Sequence, residues 1–114
     1  MAASITFAED VSYSELKSKC KPVSTFIDAQ KMHEDFPDTF AAPTDDELSS
    51  IEIFSSVKVC DGRERFWTIV SGIRGDEIIA MVNNHLVFSE LGHEDFICFE
   101  KKNIFCVEQS ALNN

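Results

Sequence analysis

The chain has 114 residues, 44% of them apolar and ten of them Phe, with a formal net charge of −10 at pH 7. That length and apolar content set one domain with a single packed core and exclude a disordered chain. The charge disfavours phosphate backbones, and no apolar run approaches the roughly 20 residues of a membrane span, so neither direct nucleic-acid binding nor a membrane partner is expected.

The opening "MAASITFAED" has no basic region ahead of an apolar core. It does not read as a signal peptide, and a cytoplasmic location is expected. "SYSELKSKC" predicts a short helix, with Ser12 and Glu15 as a capping box and Leu16 and Cys20 on one face. Pro22 ends it. A second helix is predicted from Thr25 to Glu34, with Thr25 and Asp28 as its box and Phe26, Ala29, Met32 and His33 near one face. Pro37 stops it. Thr44 and Glu47 form a third box, with Asp45 and Asp46 at the favourable end of a helix dipole, and this predicts one or two turns up to about Ser50.

Beyond Ser50 the apolar period falls to two. "SSVKVC" sets Val57 and Val59 against Lys58. "RERFWTIV" sets Phe66, Thr68 and Val70 against Arg65, Trp67 and Ile69. Apolar groups on both sides predict a central strand covered on two faces. "GIRGD" is read as a turn with Gly72 and Gly75 free to take positive φ. "EIIAMV" is the next strand, "NNH" a turn, and "LVF" a further short strand. "DFICFE" and "NIFCVE" flank "KKN" as strands. The spacing predicts a small, bent antiparallel sheet or barrel behind short N-terminal helices, an α+β domain with a mainly helical part over residues 1–50 and a β part over residues 51–114.

Residues 36 to 107 resemble the YegJ-like family of small bacterial and phage domains of unknown function. The likeness rests on Pro37, Thr39 and Phe40; on Glu64, Arg65 and Trp67; on Gly75, Ile78, Val82 and Asn83; and on Ile97 and Phe99. It implies an SH3-like barrel and no known chemistry. The chain departs from that pattern at Asn84 and His85, where an acid is expected, and at Thr68, where a valine is expected. The late Gly-Asp turn is stretched to Gly92-His93-Glu94-Asp95.

Cys20, Cys60, Cys98 and Cys106 form no C-x-x-C pair and read as free thiols, with Cys98 and Cys106 able to meet across a hairpin. "HEDF" occurs at residues 33–36 and again at 93–96, but neighbouring side chains diverge on any regular element, so the two copies do not read as a split metal site. The first closes a helix and the second is a turn entering a strand, so duplication is not indicated either. No G-x-S-x-G, Cys–His pairing or Gly-rich phosphate loop is present, and the expectation is a non-enzyme with no cofactor and no metal.

Two surfaces remain. The first is a binding face around "GRERFW", with Arg63, Arg65, Trp67, Arg74, Asn83, Asn84 and His85. There Arg65 and Trp67 share a strand face, and a guanidinium can stack near an indole. The second is an acidic patch of Glu34, Asp35, Asp38, Asp45, Asp46 and Glu47. The leading expectation is a non-catalytic acidic interaction protein that inhibits a larger basic protein, as immunity or phage anti-defence proteins do. One alternative is a small-ligand-binding barrel using the Arg65/Trp67 face. Another is an inhibitor that mimics nucleic acid through the acidic half. An exposed edge strand would support a homodimer.

Overall fold

The computed structural model describes residues 13–23, 25–84, 86 and 91–108. Among the described residues three short helices precede the sheet: α1 (residues 13–19), α2 (Ala29–Asp35) and α3 (Asp45–Ser49). Five antiparallel strands follow: β1 (Ser56–Cys60), β2 (Arg65–Arg74), β3 (Glu77–Val82), β4 (Phe96–Glu100) and β5 (Ile104–Glu108). A single 3-10 turn, Lys101–Asn103, joins β4 to β5. The architecture is α+β. No helix of the described residues is long and apolar enough to cross a membrane.

The strand order is β4-β3-β2-β1-β5, so the last two strands stand on opposite edges. Four strand spacings of about 4.8 Å amount to roughly 19 Å across a flat sheet. A three-residue 3-10 turn, at about 2.0 Å per residue, cannot bridge that distance. The sheet must therefore curl until the end of β4 lies near the start of β5. Two bulges help: the register slips between Lys58 and Val59 in the β1–β5 pair and between Val70 and Gly72 in the β2–β3 pair. An extra residue on one strand bends it and increases its twist. β4 and β5 sit on separate edges and the sheet is not closed. The two strands flanking "KKN" therefore do not form a hairpin, and Cys98 and Cys106 do not face each other across one.

The core lies inside the curl. Val57, Val59, Phe66, Val70, Ile78, Ala80, Val82, Ile97, Phe99 and Ile104 fill it, and Leu48 of α3 and Ile51 close one end. The period-two reading of β1 and β2 holds: Val57, Val59, Phe66, Thr68 and Val70 face inward while Lys58, Arg65, Trp67 and Ile69 face out. Thr68 is fully buried and donates its hydroxyl to the Val57 carbonyl. β2 is central in the sheet, as expected. Its outer row is only half-buried, however, so most of the strand is covered on one face rather than two.

Other expectations are corrected. "GIRGD" is not a turn throughout: β2 runs to Arg74, and the turn is Gly75-Asp76, with Gly75 at φ 61°. Gly72 stays in the strand for a different reason. A Cβ there would lie 3.0 Å from the Tyr13 ring, which packs flat against β2. α2 begins four residues later than predicted. Residues 25–28 run extended because Ile27 donates its N–H to the Cys60 carbonyl and Thr25 its hydroxyl to the Asp61 carbonyl. Asp28, not Thr25, is the N-cap, accepting from the Lys31 N–H. α3 has its capping box on Thr44 and Glu47 as the spacing required. Ser12, Val87 and Phe88 lie outside the described residues, so the first capping box and most of "LVF" do too.

α1 lies against the outer face of the sheet. The Tyr13 hydroxyl and the Lys17 ammonium both bond the Glu77 carboxylate of β3, Lys17 at 3.0 Å to each oxygen. The Arg74 guanidinium sits 4.2 Å from the Tyr13 ring centroid. After α1 the chain runs alongside β4, where Lys21 bridges Ile97 in parallel and pairs with Asp95 at 2.9 Å.

Candidate functional site

The outer face of β1 and β2 is built by register. Lys58 stands directly opposite Trp67, and Cys60 opposite Arg65. Directly opposed side chains on one face lie close enough to interact. The Lys58 ammonium is 5.0 Å from the Trp67 ring centroid. The expected Arg65–Trp67 stack does not form. Arg65, two residues from Trp67, turns instead to Phe105 at 4.6 Å and Phe40 at 5.6 Å. Phe105 reaches this side because it is the extra residue in the β5 bulge.

Asn83 and Asn84 serve the backbone of the same strand. The Asn83 N–H donates to the Trp67 carbonyl, and the Asn84 side-chain oxygen accepts from the Trp67 N–H. Trp67 is half-buried. Arg63 belongs to the β1–β2 turn, where Asp61 accepts the N–H groups of both Arg63 and Glu64. Arg74 is nine residues from Arg65 along β2, a separation of up to about 30 Å. The structure thus joins Arg65 and Trp67 on one face and puts Arg74 on Tyr13 at the far end. His85 lies outside the described residues.

Phe40 links this face to the acidic patch. It packs edge-on against Phe36, centroids 6.2 Å apart. The chain between α2 and α3 is fastened back onto α2 at several points. Thr39 and Phe40 donate their N–H groups to the Phe36 carbonyl, and Gln30 donates to the Pro43 carbonyl. His33 Nδ1 lies 2.7 Å from the Phe40 carbonyl, and since a carbonyl only accepts, Nδ1 carries the proton in that bond. Glu34, Asp35, Asp38, Asp45, Asp46 and Glu47 are all exposed on this braced segment. Asp35 pairs with Lys31 at 3.1 Å and holds that ammonium above its ordinary pKa. The Glu47 carboxylate accepts from the Thr44 N–H as part of the helix cap.

Three large side chains missing from the sequence-predicted site matter here. Phe36 is 53% exposed, Ile53 41% and Phe54 52%, the exposed large hydrophobics of the described residues. All three lie in residues 32–57, which hold seven acids and not one Lys or Arg. That base-free run is the signal in the sequence that would have found them.

The chemistry available elsewhere is limited. The Cys98 thiol is pushed up to about 11, first by burial and then by the Glu77 carboxylate, so it stays protonated near neutral pH and is a poor nucleophile. Among the described residues no three His, Cys, Asp or Glu side chains are grouped to hold a metal ion. The two "HEDF" segments sit in different settings, one closing α2 and the other a turn in which Asp95 accepts from the Gly92 N–H. Neither a family model, nor a curated protein, nor a solved structure matches this chain.

Proposed function

We propose that the chain is a non-catalytic interaction protein that binds, and thereby inhibits, a larger basic protein. One observation carries this reading: every large hydrophobic that the described residues expose stands in the single stretch of seven acids without a base. Interfaces take their affinity from a few apolar or aromatic anchors and their selectivity from the charges around them. Phe36 is such an anchor, set between Glu34, Asp35 and Asp38 and braced by Phe40. Bracing matters because a rigid loop loses less entropy on binding. We propose in addition that the domain is an SH3-like, partly open barrel, as the YegJ-like resemblance implies. The meander of β1 to β4 and the 3-10 turn that carries the chain to β5 on the opposite edge support that assignment.

The test is affinity capture from the native cell with the wild-type chain beside Phe36→Ala and Glu34→Lys/Asp38→Lys. A basic protein retained by the wild type and lost with both variants, at unchanged unfolding midpoints, is the expected result. Equal capture by all three chains overturns the reading.

A further inference from the structure

A cleft of about 360 Å³ opens on the side of the molecule where α1 crosses β2. Tyr13 and Leu16 form one wall, Gly72 and Ile73 the floor, and Ile51 and Ile53 the other wall. The walls are fixed. Tyr13 is held by Glu77, by the Arg74 guanidinium over its ring, and by the absence of a side chain on Gly72. The opposite wall is a tight turn, Glu52–Ser55, in which Ser55 donates its N–H to the Glu52 carbonyl and its hydroxyl oxygen accepts from the Glu52 N–H. Phe54 and Val70 stitch this turn to β2 through the Phe54 N–H and the Val70 carbonyl.

The third turn position, Phe54, has φ 75°. That is a glycine position in a type II turn, and a bulky side chain there is strained. The strain is accompanied by display: Phe54 is 52% exposed, and Ile53, 41% exposed, stands on the rim of a mainly apolar cleft. Strained positions that present side chains in this way are often tied to recognition.

Charge states what would fit. The turn belongs to the base-free acidic stretch and carries Glu52, with Asp45, Asp46 and Glu47 just upstream on α3. Two cations near the cleft are already engaged, Lys17 with Glu77 and Arg74 over Tyr13. Pockets of this volume accept apolar groups with a few oriented polar contacts. We propose that the cleft and the Ile53-Phe54 turn form a docking site for a cationic amphipathic segment of the partner. Its aliphatic side chain enters the cleft, and its lysines or arginines meet the acids of the stretch. The proposal rests on the functional reading above and deepens it by naming the partner's chemistry at a second anchor.

The probe is a synthetic amphipathic peptide of Leu and Lys, with a Ser/Lys peptide of equal charge as its control. Binding is read by amide shifts of the isotope-labelled chain and by titration. Shifts at Tyr13, Leu16, Ile51, Ile53, Gly72 and Ile73 are expected with the Leu/Lys peptide, with at least about tenfold weaker affinity in Phe54→Gly and Ile53→Ser. Phe54→Gly relieves the turn and folds at least as well, so its loss of binding cannot be a folding defect. Equal binding of the Ser/Lys peptide, or shifts confined to the surroundings of Phe36, or no binding of either peptide, overturns the cleft assignment and leaves the basic-partner reading to its own capture experiment. Tight binding at the cleft that survives Asp45→Lys/Asp46→Lys overturns the charge requirement.

Discussion

Asn103 is 7% exposed, and both ends of its amide are used. Its side-chain oxygen accepts from the Glu100 N–H, and its NH2 donates to the Ile27 carbonyl. One residue in the 3-10 turn thus fixes the path from β4 to β5 and also anchors the extended segment ahead of α2. Asn103→Ala would leave the Glu100 N–H and the Ile27 carbonyl, both in part-buried bonds, without their protein partner, at a cost of about 0.5–1.5 kcal/mol each. The expected loss in chemical denaturation is therefore about 1–3 kcal/mol, with an unchanged slope against denaturant; a loss near zero would show that water replaces both bonds. Nothing in the string "KKN" signals this role, because a side chain's long-range partner leaves no mark on local sequence. Thr68 was legible in part: its inward position follows from the alternation, but its bond to the Val57 carbonyl does not. Trp67 shows the same limit. The alternation puts it on the outer face, yet only the cross-strand register assigns Lys58 as its cation and sends Arg65 to Phe40 and Phe105.

Elements specified by their own residues were read correctly, and those specified by distant partners were not. α3 needs only Thr44, Glu47 and the acids of its first turn. α2 was begun too early because residues 25–28 are claimed by bonds to Cys60 and Asp61 on the β1–β2 corner. The alternation locates β4 and β5 along the chain but not their pairing, since strand order is a property of the whole curl. α1 is fastened to β3 through the Glu77 carboxylate. The Tyr13 hydroxyl, and then the Lys17 ammonium, hold the Glu77 carboxyl below its ordinary 4.5. A carboxyl depressed in the folded state adds stability above its unfolded value, and that contribution is lost as pH falls from about 4.5 through the folded value. The same bond raises Lys17, which simply remains charged over this range. Thermal unfolding followed from about pH 7 to about pH 3 should show the wild-type midpoint falling more steeply below about 4.5 than that of Glu77→Gln. Asp95, lowered by the Gly92 N–H and by Lys21, supplies an acid dependence common to both chains. Parallel curves would mean that Glu77 does not clamp α1 in solution.

At the scale of the molecule, a charge of −10 is arranged rather than merely carried. Lys17, Lys21 and Lys31 are tied to carboxylates, and Lys58, Arg65 and Arg74 sit over aromatic rings. No Lys or Arg falls between residues 32 and 57; Lys31 pairs with Asp35 and Arg65 reaches Phe40, so the negative field of the seven acids is offset only in part. Such a field acts before contact. It steers a basic partner and raises the association rate, while the packed apolar anchors set how long the complex lasts. The two contributions separate with salt, because exposed charges are screened beyond about 10 Å at 0.1 M ionic strength and beyond about 3 Å at 1 M. With the captured basic partner on a biosensor, raising salt across that range should slow association about tenfold or more and leave dissociation nearly unchanged. Asp38→Asn/Asp45→Asn should reproduce the slow association at low salt. Phe36→Ala should do the opposite, speeding dissociation with association intact. If salt acts on dissociation alone, the acids form tight contact pairs rather than a steering field, and the division of labour between charge and anchor assigned here is wrong.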